Sequence, residues 1–277
     1  MGTNHTIKIR GEIIDLSTPK VMGIINVTPD SFYEESRKMK SEELFKSAER
    51  MLEEGVDFLD VGGYSSRPGA DEISIEEELD RVCNAVRIIV ERFPEAIVST
   101  DTFRSQVARE AIRTGATIIN DISGGHLDDE MFSTVAELNV PYIAMHMRGT
   151  PQNMMELTDY TDLIREITFY FSGIINQCNQ LGIHDLILDP GFGFSKTREQ
   201  NFHLLRHLEH FQILDKPILA GLSRKSMIYR SLNLTANEAL NGTTTLNTLA
   251  LFKGACILRV HDVKEAVEVV KLVNQLS

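Results

Sequence analysis

Eight short apolar runs punctuate the chain, each followed by a turn and then a longer stretch with helical spacing. The runs lie near 21–26, 57–61, 96–101, 117–121, 142–147, 185–189, 217–222 and 255–259. They are continuously apolar rather than alternating, the signature of parallel strands covered on both faces. The helical stretches fall near 41–54, 74–92, 102–114, 128–138, 159–181, 197–209, 235–253 and 262–275. Several have start signals with a mechanism. Ser74 with Glu77, Thr197 with Gln200, Thr235 with Glu238 and Asp262 with Glu265 each pair a cap oxygen with a reciprocal acceptor three residues on. Gly55, Gly115, Gly182 and Gly254 stand where helices should stop before the next strand. A β-then-α unit repeated eight times predicts an α/β protein, a closed (β/α)8 TIM barrel rather than an open doubly wound sheet. The leading segment 6–15, TIKIRGEIID, reads as a short β-hairpin turning at Arg10-Gly11 and plugging the barrel bottom. With no linker, low-complexity segment or internal repeat, residues 1–277 are expected to form a single domain.

Composition narrows the function classes. With 42% hydrophobic and 25% charged residues, the 277-residue chain has the make-up of a globular protein with a sizeable core. A formal net charge of −12 argues against nucleic acid as a partner, because backbone phosphates need a basic surface. Any anion site must therefore be local. Cys83, Cys178 and Cys256 are widely spaced and suit neither a disulfide framework nor a metal cluster. The start MGTNHTIKIRGEIIDL has no basic stretch followed by an apolar core, and no run reaches the ~18 apolar residues of a membrane span. A cytoplasmic location with no membrane partner is expected.

Barrel enzymes carry their chemistry at the C-terminal strand ends. Those positions hold Asn26, Asp60, Asp101, Asn120 with Asp121, Met145 with His146, Asp189, the Ser223-Arg224-Lys225 run, and Arg259 with His261. Any one Asp or Asn there could simply cap a helix or open a turn. A polar or reactive group at every strand end is harder to assign to capping. Converging carboxylates and amides suit a heterocycle with an N–H-rich edge, since a carboxylate accepts two such bonds side by side. Asp189 is the best anchor, ending the apolar LILD run before PGFGF, where Phe194 adds a flat neighbour. Arg67, Arg224, Lys225, Arg259 and His261 suit phosphate groups. Arg259 and His261, two apart at the end of ACILRVH, share a face of the strand. The loops NVTPDSF (26–32) and YSSRPGA (64–70) are rich in hydroxyls and turn formers and could fold over a substrate.

Other motifs fail on inspection. GFGFSKT (191–197) lacks the glycine before lysine and the spacing of a phosphate loop. GLSRK (221–225) lacks the second glycine of a nucleophile elbow. His203 and His207 are four apart, yet no glutamate follows the first as in a zinc protease, so they read as surface histidines.

Taken in order, MGIINVTPDSF, LDVGGYSSRPGA, STDTF, INDISG, MHMRGTP, LDPGFGFSKT, GLSRKS and RVHDV resemble the successive motifs of the dihydropteroate synthase family of pterin-binding TIM barrels. The likeness runs from about residue 20 to 263, nearly the whole chain. It implies condensation of 4-aminobenzoate with 6-hydroxymethyl-7,8-dihydropterin pyrophosphate in folate synthesis, with pyrophosphate released and Mg²⁺ assisting. Carried over by motif, Asp101, Asn120 and Asp189 would bind the pterin, Lys225 would contact the same ring, and Met145 would pack against it. Asn26, Arg67, Arg259 and His261 would hold the pyrophosphate, with Asn26 nearest the metal. Ser66, Pro68, Phe194 and Ser226 would border the aminobenzoate. The catalytic set implied is Asn26, Lys225, Arg259 and His261. A homodimer is expected on the same resemblance.

The chain also departs from the family pattern. Tyr33-Glu34-Glu35-Ser36 stands where Ser-Asp-Gly-Gly is common, Tyr64 replaces a frequent Glu, and Ser66 replaces a frequent Thr. Two other readings remain at this point: a module passing a methyl group from methyltetrahydrofolate to a corrinoid protein, and a pterin-binding paralogue without turnover. The first has no need of a pyrophosphate cluster. The intact Asn26, Arg67, Lys225, Arg259 and His261 argue against the second.

Overall fold

The eight expected strands form, in the computed structural model, one eight-stranded parallel sheet. The structure describes residues 6–27, 34–65 and 72–276. The strands are β3 (Lys20–Asn26), β4 (Phe58–Gly62), β5 (Val98–Asp101), β6 (Ile118–Asp121), β7 (Tyr142–Met145), β8 (Leu186–Asp189), β9 (Leu219–Ala220) and β10 (Ile257–Val260). Their order around the sheet is β8-β7-β6-β5-β4-β3-β10-β9, and a parallel bridge between Leu188 and Ile218 joins the two edges. The sheet is thereby nearly closed into a barrel.

The hairpin is present as β1 (Thr6–Ile9) and β2 (Glu12–Asp15), paired antiparallel. Its two turn residues, Arg10 and Gly11, both have positive φ (51° and 87°), as a two-residue primed turn requires. The Arg10 side chain is held by the carbonyls of Pro94 (2.7 Å) and Ala96 (3.1 Å). Ile7, Ile9 and Leu16 pack with Met22, Phe58, Ile118, Ile143, Ile187, Leu219 and Ile257 in the barrel interior.

The outer layer consists of α1 (Glu34–Glu53), α2 (Ile75–Arg92), α3 (Ser105–Thr114), α4 (Met131–Leu138), α5 (Leu163–Leu181), α6 (Arg198–Arg206), α7 (Ser226–Tyr229), α8 (Leu240–Phe252) and α9 (Val263–Val273). None of these helices is long and apolar enough to cross a membrane. The Ser74 hydroxyl caps α2 by accepting from Glu77 N, and Thr197 and Gln200 form the full reciprocal box on α6. Gly182 ends α5 in the left-handed conformation.

Several boundaries differ from the sequence reading, α5 starting at Leu163 rather than 159 and the short α7 being unexpected among them. Three further differences have a local cause. Helix α1 begins at Glu34 rather than 41, directly where the chain departs from the family pattern. Thr235 opens a 3-10 turn (Ala236–Glu238), and α8 starts only at Leu240. Asp262 does not cap α9, because Arg224 takes both of its carboxylate oxygens (2.8 and 2.9 Å).

Candidate active site

The pleat of each strand decides which strand-end side chains can meet. Ile118 lies in the interior cluster and Ile119 in the cluster against the helices, so Asn120 faces inward and Asp121 outward. The same parity turns Asp60, Met145, Asp189 and Arg259 into the barrel mouth with Phe58, Ile143, Ile187 and Ile257. It turns His146 away. Asp121 is a structural residue: it accepts from Tyr142 Oη (2.7 Å), Ser123 N (2.7 Å) and Gly125 N (2.8 Å).

Inside the mouth, Arg259 of β10 reaches past β3 to β4 and β5. Its Nε donates to Asp60 Oδ2 (2.6 Å) and its Nη2 to Asp101 Oδ2 (2.5 Å). Asn120 Nδ2 donates to the same Asp60 oxygen (3.0 Å). Burial works against the Arg259 charge, yet the Asp60 and Asp101 carboxylates outweigh it and raise the guanidinium above its ordinary range. Burial pushes the Asp101 carboxyl up to about 7, with Arg259 pulling the other way. Asp60 Oδ1 is buried and has no hydrogen-bond partner among the described residues.

Across the mouth stand Asp189 and Lys225. Asp189 Oδ1 accepts from Gly191 N (2.8 Å), and burial raises this carboxyl while Lys225 lowers it. A side chain added at Gly221 would meet Lys225 Nζ at 3.7 Å and Asp189 Oδ2 at 3.8 Å, so the bare glycine keeps that space open. Lys225 Nζ donates to Phe192 O and lies 4.8 Å from the Phe194 ring centroid. Burial brings its ammonium down to about 8, against the pull of Asp189. Met145 and Phe194 belong to one apolar cluster with Ile122, Met147 and Met154, a wall on which a flat ring could lie.

A third part of the mouth is built on β10 and the loop after β9. Ser223 Oγ accepts from the main-chain N–H of His261 (3.1 Å) and lies 3.1 Å from its Nδ1. The two contacts to one hydroxyl hold the imidazole ring against the loop after β9. Ser226 opens α7 beside Lys225. Asn26 ends β3 exposed, level with Gly62 in the register and two residues beyond the Ile24–Asp60 pair.

One expected phosphate ligand is spoken for. Arg224 pairs with Asp262 through two bonds and donates to Ala236 O (2.9 Å) and Asn237 O (2.7 Å), so its guanidinium ties the loop after β9 to α9. Ser66, Arg67 and Pro68 lie outside the described residues, as does most of NVTPDSF. Two residues take larger parts than the sequence reading assigned. Asp60 is the common acceptor of Arg259 and Asn120, and its inward parity with Phe58 was the available signal. Lys196, from the failed phosphate-loop motif, is buried at 2% exposure under the loop carrying Phe194. Nothing in a single lysine code distinguishes a buried amine from a surface one.

At the edge of the mouth, Tyr64 makes an edge contact with Phe103 (5.2 Å), lies under the Arg104 guanidinium (5.6 Å), and its hydroxyl accepts from Gln152 Nε2 (2.8 Å). The replaced residue therefore links the loops after β4, β5 and β7.

A family model described as pterin binding enzyme matches residues 22–261. The dihydropteroate synthase of Escherichia coli K12 is 44% identical over 267 residues, covering 96% of this chain and 94% of its own. That of Synechocystis is 40% identical over 259 residues, covering 92% and 89%. Among solved structures, the Yersinia pestis dihydropteroate synthase in complex with a sulfonamide drug superposes with a TM-score of 0.91 at 40% identity, covering 98% of this chain and 99% of that one. The Xanthomonas albilineans dihydropteroate synthase with 4-aminobenzoic acid gives 0.90 at 36% identity, covering 99% and 98%.

Proposed function

The chain belongs to the pterin-binding enzyme family and within it to the dihydropteroate synthases, and from that premise we propose which of its residues do what. The enzyme is a transferase of folate synthesis: it joins 4-aminobenzoate to 6-hydroxymethyl-7,8-dihydropterin pyrophosphate, giving 7,8-dihydropteroate and pyrophosphate.

The observation that carries the assignment of parts is the pairing of charge in the mouth. Arg259 is bonded to the inward-facing Asp60 and Asp101, Lys225 stands with Asp189 across from them, and Ser223 and His261 meet at the end of β10. Asp189, Asp101 and Asn120 bind the N–H-rich edge of the pterin, where charge-assisted pairs give direction as well as affinity. Met145 packs on one face of the ring. Lys225 contacts the ring from its seat on Phe192 O.

Departure of pyrophosphate leaves a cation on the methylene that is conjugated with the electron-rich pterin. The step thus needs stabilised leaving-group charge more than a strong base. Arg259 and His261 supply it, joined by Arg67 from the second loop. The neutral arylamine of 4-aminobenzoate attacks the methylene carbon, loses its proton after the C–N bond forms, and is bordered by Ser66, Pro68, Phe194 and Ser226. No covalent enzyme intermediate is required.

Mg²⁺ fits this mouth in a particular way. Among the described residues no cluster of three or more His, Cys, Asp or Glu could hold a metal, whereas Asn26 presents an exposed amide at a strand end. Mg²⁺ commonly takes one or two protein oxygens and completes its shell with substrate phosphates and water. Asn26 would hold it with the pyrophosphate oxygens. When bound, the metal supplies positive charge to the leaving group.

Pyrophosphate release is the direct test. Release from the dihydropterin pyrophosphate that depends on both 4-aminobenzoate and Mg²⁺, with dihydropteroate identified by mass, is expected. Pterin binding without turnover would instead identify the non-catalytic paralogue. The homodimer belongs to the same proposal and is read by sedimentation velocity, where a monomer at assay concentration would remove it.

A further inference from the structure

A buried lysine lies beneath the site, and no step of the reaction uses it. Lys196 Nζ is 2.9 Å from His146 Nδ1 and donates to Gly191 O and Phe194 O, each at 3.1 Å. One amine therefore fastens the start and the middle of the loop after β8 to the end of β7. That loop needs fastening. Gly191 and Gly193 have positive φ (71° and 82°), which glycine adopts freely. Ser195 does so as a non-glycine (45°), a conformation that persists only where its surroundings over-determine it. Gly191 also passes so close to β7 that a Cβ there would stand 2.0 Å from His146 O.

The loop's carbonyls divide between two lysines. Those of Gly191 and Phe194 turn down to Lys196, and that of Phe192, between them, turns up to Lys225. The Phe194 ring and Gly193 flank the Lys225 side chain from the same segment.

We propose that Lys196 is a positioning residue for the reaction: with His146 it fixes the loop after β8 in the shape that sets Lys225 and Phe194 at the pterin, without touching substrate itself. The inference rests on Lys225 contacting the ring, as assigned above. Burial in this setting pushes both the Lys196 ammonium and the His146 imidazolium well below their ordinary ranges, so the pair is adapted to hold geometry rather than charge. Asp189, Lys225 and Arg148 are the charged groups around Lys196, and Asp189, Arg259 and Asp101 those around Lys225.

The test compares Lys196→Met, which keeps the volume and loses the hydrogen bonds, with His146→Leu and the double variant. Steady-state kinetics on dihydropterin pyrophosphate would be run across pH, with thermal denaturation in parallel. Lys196→Met is expected to raise KM for the pterin substrate and lower kcat/KM by about ten- to a hundredfold, the scale of a misplaced contact group. The alkaline limb should move to lower pH, because Lys225 loses its carbonyl partner. The double variant should be no worse than Lys196→Met alone. A lowered melting temperature with unchanged KM and an unmoved limb would mean that Lys196 only supports the fold, and would overturn the inference. If Lys196→Met does not fold, His146→Leu removes a single partner and is judged by the same two readouts. A Lys225→Met variant with wild-type kinetics would defeat the site assignment itself, a different outcome from a silent Lys196→Met.

Discussion

At Asp101 two effects oppose each other. Burial holds the proton on and Arg259 drives it off, leaving the carboxyl at about 7, while burial brings Lys225 down to about 8. Pterin binding as assigned here needs the first group ionised and the second protonated. Affinity for the dihydropterin should therefore fall below pH 7 and above pH 8, and isothermal titration across this range would trace both limbs. Asp101→Asn should remove its own part of the acid limb, leaving that of Asp189, which burial also raises, and Lys225→Met should remove the alkaline one. The same shifts act on stability with opposite signs. The raised Asp101 value contributes stability at low pH that is lost as pH rises through about 7. The depressed Lys225 value contributes stability at high pH that is lost as pH falls through about 8. Between them the empty site is at its least stable with both groups charged, the state in which it binds. Asp60 makes a second case at this scale. Asp60→Ala would leave Arg259 and Asn120 without their shared acceptor. Breaking a fully buried ion pair costs about 3–5 kcal/mol, and less is expected here because Arg259 keeps one-fifth of its exposure. Chemical denaturation would measure that loss, with a fall in kcat/KM for the pterin substrate beside it.

The elements explain what could be read in advance and what could not. All eight barrel strands, the hairpin and the capping box at Thr197 are local patterns, and each is where its residues put it. The division of Asn120 from Asp121 and of Met145 from His146 follows from a period of two, which requires the strand register as well as the strand. Partners distant in sequence stayed hidden. Asp262 carries a helix-start signal, yet Arg224, 38 residues earlier, claims its carboxylate. A cap bond is one neutral-donor interaction, whereas this bidentate pair is charge-assisted on both sides, so the pair prevails. Arg224 also adopts positive φ (53°), so its side chain holds the loop carrying Lys225 in a strained shape. Arg224→Ala is expected to cost about 1–3 kcal/mol from lost charged hydrogen bonds, read as a lower denaturation midpoint. It should also weaken pyrophosphate-bearing substrate more than the bare pterin, since Ser223 and His261 lie on the two segments it joins.

At the scale of the whole molecule, the two ends of the barrel do different work. The C-terminal mouth gathers carboxylates, cations and a strained loop, none of which serves stability well. The opposite end is closed by the hairpin, whose Ile7 and Ile9 are 1% and 3% exposed against an interior of Met22, Phe58, Ile118 and Ile143. An apolar floor of this kind offsets the cost of buried charge above it, and the two are separated by the interior layers of the strands. Ile9→Ala should destabilise the protein by about 2–5 kcal/mol, the usual range for a buried Ile cut to Ala. The affinity of the folded protein for dihydropterin should stay at the wild-type value. Thermal denaturation and pterin titration on the same sample would check both halves. A fall in affinity without a fall in stability would show that the hairpin reaches the mouth through the barrel strands, and the division between floor and site would fail.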